Sequence, residues 1–78
     1  MKRVRTAIVG LGYWGPNLVR NFSAEPACEL VWGCDKSEER LNWLKAHYPA
    51  VRATADFDDV LNDSTIELVL IATPTTTH

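Results

Sequence analysis

No stretch of this 78-residue chain is apolar for long enough to cross a bilayer, which takes about 20 consecutive residues. Positive charge is not in excess either. Eight Lys and Arg against ten Asp and Glu leave a formal net charge of −2, which argues against nucleic acid or an anionic membrane as the main partner. Cysteine is scarce: Cys28 and Cys34 flank one strand-like segment, without the paired spacing or the histidine cluster of a zinc site, so no metal is expected. Cys34 alternates with Leu30 and Trp32, which marks it as a buried free thiol on their face, while Cys28 reads as a surface or loop thiol. Repeats, linkers and low-complexity segments are missing. Met1-Lys2-Arg3 resembles the start of a signal peptide, but only a short apolar run follows it, so a cytoplasmic location is expected. The length admits one small domain at most, burying about 60–65% of its unfolded surface.

Glycine is sparing too, numbering four, yet three of the four fall in one short stretch. The β-like run Val4-Arg5-Thr6-Ala7-Ile8-Val9 leads directly into Gly10-Leu11-Gly12-Tyr13-Trp14-Gly15, a G-x-G-x-x-G sequence placed where a strand hands over to a helix. Gly10 allows the tight turn, Gly12 lets a pyrophosphate approach the backbone, and Gly15 lets the helix lie against the strand. Tyr13 and Trp14 sit inside this phosphate turn. Pro16 suits the first helical turn, where a backbone N–H has no intrahelical partner anyway. The amides of that turn and the helix dipole then favour a dianion. The motif describes a nucleotide-phosphate cradle.

A second strand-like run, Glu29-Leu30-Val31-Trp32-Gly33-Cys34-Asp35, ends in an acid about 20 residues beyond Gly15. A carboxylate there accepts hydrogen bonds from adenosine ribose hydroxyls and repels a 2′-phosphate. The plainer alternative makes Asp35 a helix cap or turn acid, although Ser37 could cap the helix instead.

The remaining elements follow from pattern. A first helix runs from about Gly15 to Ala24 with Leu18, Val19 and Phe22 as its apolar stripe, ended by Glu25-Pro26. A second runs from Ser37 to about His47, with Leu41, Leu44 and Tyr48 toward the sheet. A short strand over Val51–Thr54 and a one- to two-turn helix over Phe57–Leu61 come next. A last strand spans residues 66–72, too continuously apolar to be half-exposed. The order β-α-β-α-β-α-β is an α/β chain, the first half of a doubly wound parallel sheet: four strands in the order 3-2-1-4 with three helices. Thr73 and Pro74 leave the last strand at the crevice where such sheets bind ligands. His78 has the chemistry of a general acid or base, but a lone terminal histidine reads more simply as the start of a following helix.

Taken together, the run from Val9 to Asn17, Asp35, and the run Ile71-Ala72-Thr73-Pro74-Thr75-Thr76-Thr77-His78 resemble the glucose–fructose oxidoreductase / inositol 2-dehydrogenase (Gfo/Idh/MocA) family across essentially the whole chain. The resemblance implies a Rossmann-type domain, truncated to its first half, of an NAD(P)-dependent oxidoreductase that moves hydride at a carbinol carbon of a sugar, sugar nucleotide or cyclitol. It implies cofactor contacts at Gly10, Gly12, Tyr13, Trp14, Gly15, Asp35, Thr73, Pro74 and His78. The family's catalytic lysine lies in a Glu-Lys-Pro motif beyond residue 78, so residues 1–78 hold no catalytic residue and Lys36 and Lys45 do not replace it. The acid Asp35, with no arginine directly after it, favours NAD over NADP, with Arg40 a reservation. Residues 1–78 are thus expected to be a partial NAD(P)-binding domain, a fragment of a longer enzyme without its substrate domain.

Other classes share parts of this pattern. A methyltransferase has an acid in or just before its glycines, and Ala7-Ile8-Val9 offers none. A flavin-binding domain has a similar first turn but is matched less well by the Thr-Pro segment. A non-catalytic nucleotide-sensing module is a further alternative. With helices crowded on one face, the strand at 66–72 is expected to be a bare edge through which the chain forms a homo-oligomer, most simply a dimer.

Overall fold

The computed structural model describes residues 3–11 and 15–72. Their order is β1 (Val4–Val9), α1 (Gly15–Ala24), β2 (Cys28–Cys34), α2 (Glu38–His47), β3 (Arg52–Thr54), α3 (Phe57–Leu61) and β4 (Leu68–Ile71). The strands pair in parallel in the order β3-β2-β1-β4, as the sequence pattern requires. β4 is shorter than the apolar run suggests. Its neighbours still hold to β1: the Glu67 amide donates to the Arg5 carbonyl and the Ala72 amide to the Val9 carbonyl, each at 2.8 Å.

Two apolar layers lie on opposite faces of the sheet. On one, α1 and α2 bring Val19, Leu41 and Leu44 onto Ile8, Leu30 and the turn residue Leu11. On the other, α3 brings Val60 onto Ala7 and Cys34, with Trp32, Val9 and Ile66 alongside. The second and third helices each have a local reason to start. The Ser37 hydroxyl accepts from the Arg40 amide at 3.4 Å, and Glu38 and Glu39 fill the positive end of α2. At α3, Asp56 accepts from the Asp58 amide at 2.9 Å. Gly33 lies under α2, and its missing Cβ makes room for Leu44.

Two features of β2 differ from the alternation in the sequence. Leu30 lies on the face of α1 and α2, whereas Trp32 and Cys34 lie on the face of α3. The cause is one extra residue. Thr6 pairs with Leu30 and Ala7 with Trp32, so Val31 has no opposite number and the alternation inverts across it. Cys28 is buried, not a loop thiol, because β2 begins one residue earlier than the sequence suggested, with Cys28 paired to Val4. β4, by contrast, is exposed at Leu68, Val69 and Ile71 in the described chain, Ile71 most of all at 66%, while Leu70 is half-buried against the layer under α1 and α2.

Candidate functional site

The carboxyl ends of β1, β2 and β3 converge on one carboxylate. Gly10 turns out of β1 with φ of +91°, a left-handed conformation that glycine adopts without a Cβ clash. Its amide donates to the Cys34 carbonyl at 2.7 Å, tying the turn to the end of β2. The next amide, Leu11 N–H, donates to Asp35 Oδ2 at 2.6 Å. Asp35 Oδ1 accepts from the Ser37 amide at 2.7 Å, and the Asp35 amide donates to the Thr54 carbonyl at 3.1 Å. A single residue therefore joins the turn after β1, the entry to α2 and the end of β3.

The Asp35 side chain is largely covered, while Arg40, one turn into α2, reaches within 3.8 Å of Oδ2 and stays half-exposed. A carboxylate has about four lone-pair positions, so two amides leave Asp35 able to accept from further donors such as ribose hydroxyls. Ser37 caps α2 and Asp35 bonds the Ser37 amide, so the two residues share the work that the sequence offered to either. Beside them the Cys34 thiol is pushed up from its ordinary pKa, first by burial and then by Asp35, Asp56 and Asp59. Such a thiol stays protonated and unreactive. Among the described residues no group of His, Cys, Asp and Glu could hold a metal ion, and no helix is long and apolar enough to cross a membrane.

Of the residues singled out from the sequence, Gly10 and Asp35 are brought together, and Gly15 is the first residue of α1. Gly12, Tyr13, Trp14, Thr73, Pro74 and His78 lie outside the described residues. Leu11 is the participant that sequence reasoning missed. Its side chain is 2% exposed in the core while its amide holds Asp35. The signal was present in the apolar residue between two glycines, a position that packs inward when the turn lies against the sheet.

A left-handed glycine after β1, a helix beginning at Gly15 and a carboxylate at the end of β2 fit an adenine dinucleotide laid across the strand ends. Residues 4–78 match GFO_IDH_MocA, the oxidoreductase family with an NAD-binding Rossmann fold. The chain belongs to this family. It is 33% identical to a glycosyl hydrolase family 109 protein of Porphyromonas gingivalis, over 100% of this chain and 19% of that protein. It is 31% identical to the uncharacterized oxidoreductase YrbE of Bacillus subtilis, over 99% of this chain and 23% of that protein. Among solved structures, GenD2 from gentamicin A biosynthesis, in complex with NAD, superposes with a TM-score of 0.86 at 32% identity, over 100% of this chain and 22% of that one. Scyllo-inositol dehydrogenase from Lactobacillus casei, with bound NAD(H) and scyllo-inositol, gives 0.82 at 27% identity, over 99% and 23%. The chain spans about a fifth of the length of the curated relatives it matches.

Proposed function

We propose that this chain is the nucleotide-binding portion of an NAD-dependent oxidoreductase that acts on a sugar, sugar nucleotide or cyclitol. The observation that carries the cofactor part is the Asp35 carboxylate, held at the end of β2 beside the turn that begins at Gly10. The substrate class is supported by two solved relatives: one is bound to scyllo-inositol and another comes from gentamicin A biosynthesis. In this reading Gly10 makes the turn, Gly12 admits the pyrophosphate, Gly15 lets α1 lie against the strand, and Tyr13, Trp14, Thr73, Pro74 and His78 are further cofactor contacts. Bound NAD supplies the hydride acceptor. The residues described here bind and orient its adenosine half, and Asp35 disfavours a 2′-phosphate by charge.

Isothermal calorimetry tests the reading. NAD and ADP-ribose should bind within a few-fold of each other, because the adenosine and pyrophosphate contacts are the ones this chain supplies. NADP should bind more weakly than NAD. NADP binding as tight as NAD, or no binding of ADP-ribose, would refute the assignment.

We also infer that the chain self-associates through β4. The observation favouring this is the exposed apolar edge formed by Leu68, Val69 and Ile71.

A further inference from the structure

We propose that Asp35 is a positioning residue for the phosphate turn, in addition to being the ribose acceptor of the reading above. A ribose acceptor needs only a carboxylate facing the ligand. This one is already engaged from behind, with Oδ2 on the Leu11 amide at 2.6 Å and Oδ1 on the Ser37 amide at 2.7 Å. With the bond from the Gly10 amide to the Cys34 carbonyl, two consecutive amides of the turn are clamped onto two consecutive residues at the end of β2. The Leu11 side chain, almost wholly buried, fixes the same residue from the core side. An amide aimed at Asp35 is not available to a phosphate. Leu11 is therefore the anchor of the turn and not itself a phosphate donor. The Asp35–Leu11 bond fixes how the chain leaves β1 into the turn.

Electrostatics alone predicts the opposite outcome for one experiment. Removing the Asp35 charge should strengthen the binding of any diphosphate, since a like charge is lost and Arg40 is released from its 3.8 Å partner. If Asp35 positions the turn, diphosphate binding should weaken instead.

The first arm needs no ligand. Amide hydrogen exchange, followed by NMR, should show Leu11 protected in the wild type and exchanging at least tenfold faster in Asp35→Ala, while the β1 ladder amides of Ala7 and Ile8 keep their protection. Asp35→Asn, which offers one acceptor oxygen in place of two, should expose only one of the Leu11 and Ser37 amides. Equal protection of Leu11 in wild type and Asp35→Ala would overturn the proposal. The second arm rests on the proposed cofactor reading and uses ADP and 2′,3′-dideoxy-ADP, which lacks the ribose hydroxyls. Asp35→Ala should weaken dideoxy-ADP about tenfold, the scale of one charged hydrogen bond, and ADP by more. Unchanged or tighter dideoxy-ADP binding with weakened ADP would overturn the positioning role and leave the ribose role standing. Equal wild-type affinity for the two ligands would overturn the ribose role, and the exchange result would still decide the positioning role.

Discussion

Asp63 shows how strongly a surface carboxylate can be held without burial. Its pKa is lowered to about 2 by the Thr65 hydroxyl at 2.6 Å, then by the Trp32 indole N–H at 2.8 Å and the Thr65 amide at 2.9 Å. A folded-state pKa below the ordinary carboxylate value contributes stability that is present at neutral pH and is lost as pH falls from about 4 toward 2. Urea denaturation should therefore show a loss of stability over that window which Asp63→Asn reduces. Trp32 fluorescence should titrate over the same window in the wild type and stay flat in the variant. An unchanged acid limb in Asp63→Asn would refute the assignment. Asp35 itself was legible from the sequence by its distance from the glycines. Its bond to the Leu11 amide was not, because side-chain pattern carries no information about where a backbone donor points.

At the level of elements, the approach of α2 to β2 depends on the one residue of β2 with no side chain. A Cβ on Gly33 would collide with Leu44 Cδ2, and Leu44 is fully buried. Gly33→Ala should cost about 1–3 kcal/mol, as overpacking does. In the Leu44→Ala background the same substitution should cost less, since the colliding methyl is gone. Equal costs in the two backgrounds, measured by denaturant titration as a double-mutant cycle, would show that the strain lies elsewhere. The helices were readable from caps and stripes: Ser37 for α2, the acid-rich start of α3, and Val19 with its half-buried neighbours Leu18 and Phe22 for α1. The faces of β2 were not. Strict alternation grouped Leu30 with Trp32 and Cys34, and a residue without a partner in the neighbouring strand cannot be seen from one strand alone.

The strand order of the whole molecule followed from parallel strands joined by helices, because right-handed crossovers leave few ways to stack them. The continuous apolar run at the last strand read as fully covered on both faces. In the described chain β4 instead carries Leu68 and Val69 each at 37% exposure and Ile71 at 66%. Sedimentation at rising concentration should show a dimer or larger species, with a total buried interface above about 1,000 Å². Ile71→Lys should shift the population toward monomer without unfolding, because that side chain lies outside both core layers. A wild-type monomer at high micromolar concentration would refute pairing through this edge.

Val31 makes β2 one residue longer than the stretch of β1 that it spans. The halves of the strand before and after it are out of phase, and a count of residues decides which side of the sheet each half shows. The later half is moored at the crevice through Cys34 and Asp35, so any change of length within the strand is felt in the earlier half. Removing Val31 alone would set Leu30 directly before Trp32, as Thr6 stands before Ala7, so Leu30 would stay in the layer under α1 and α2 and Cys28 and Glu29 would keep their present faces. Removing Leu30 as well would set Glu29 before Trp32 and turn Cys28 and Glu29 to the opposite side of the sheet. In this strand the deletion of the one unpaired residue is the change of length that the faces can absorb, and a second deletion acts as several substitutions made at once.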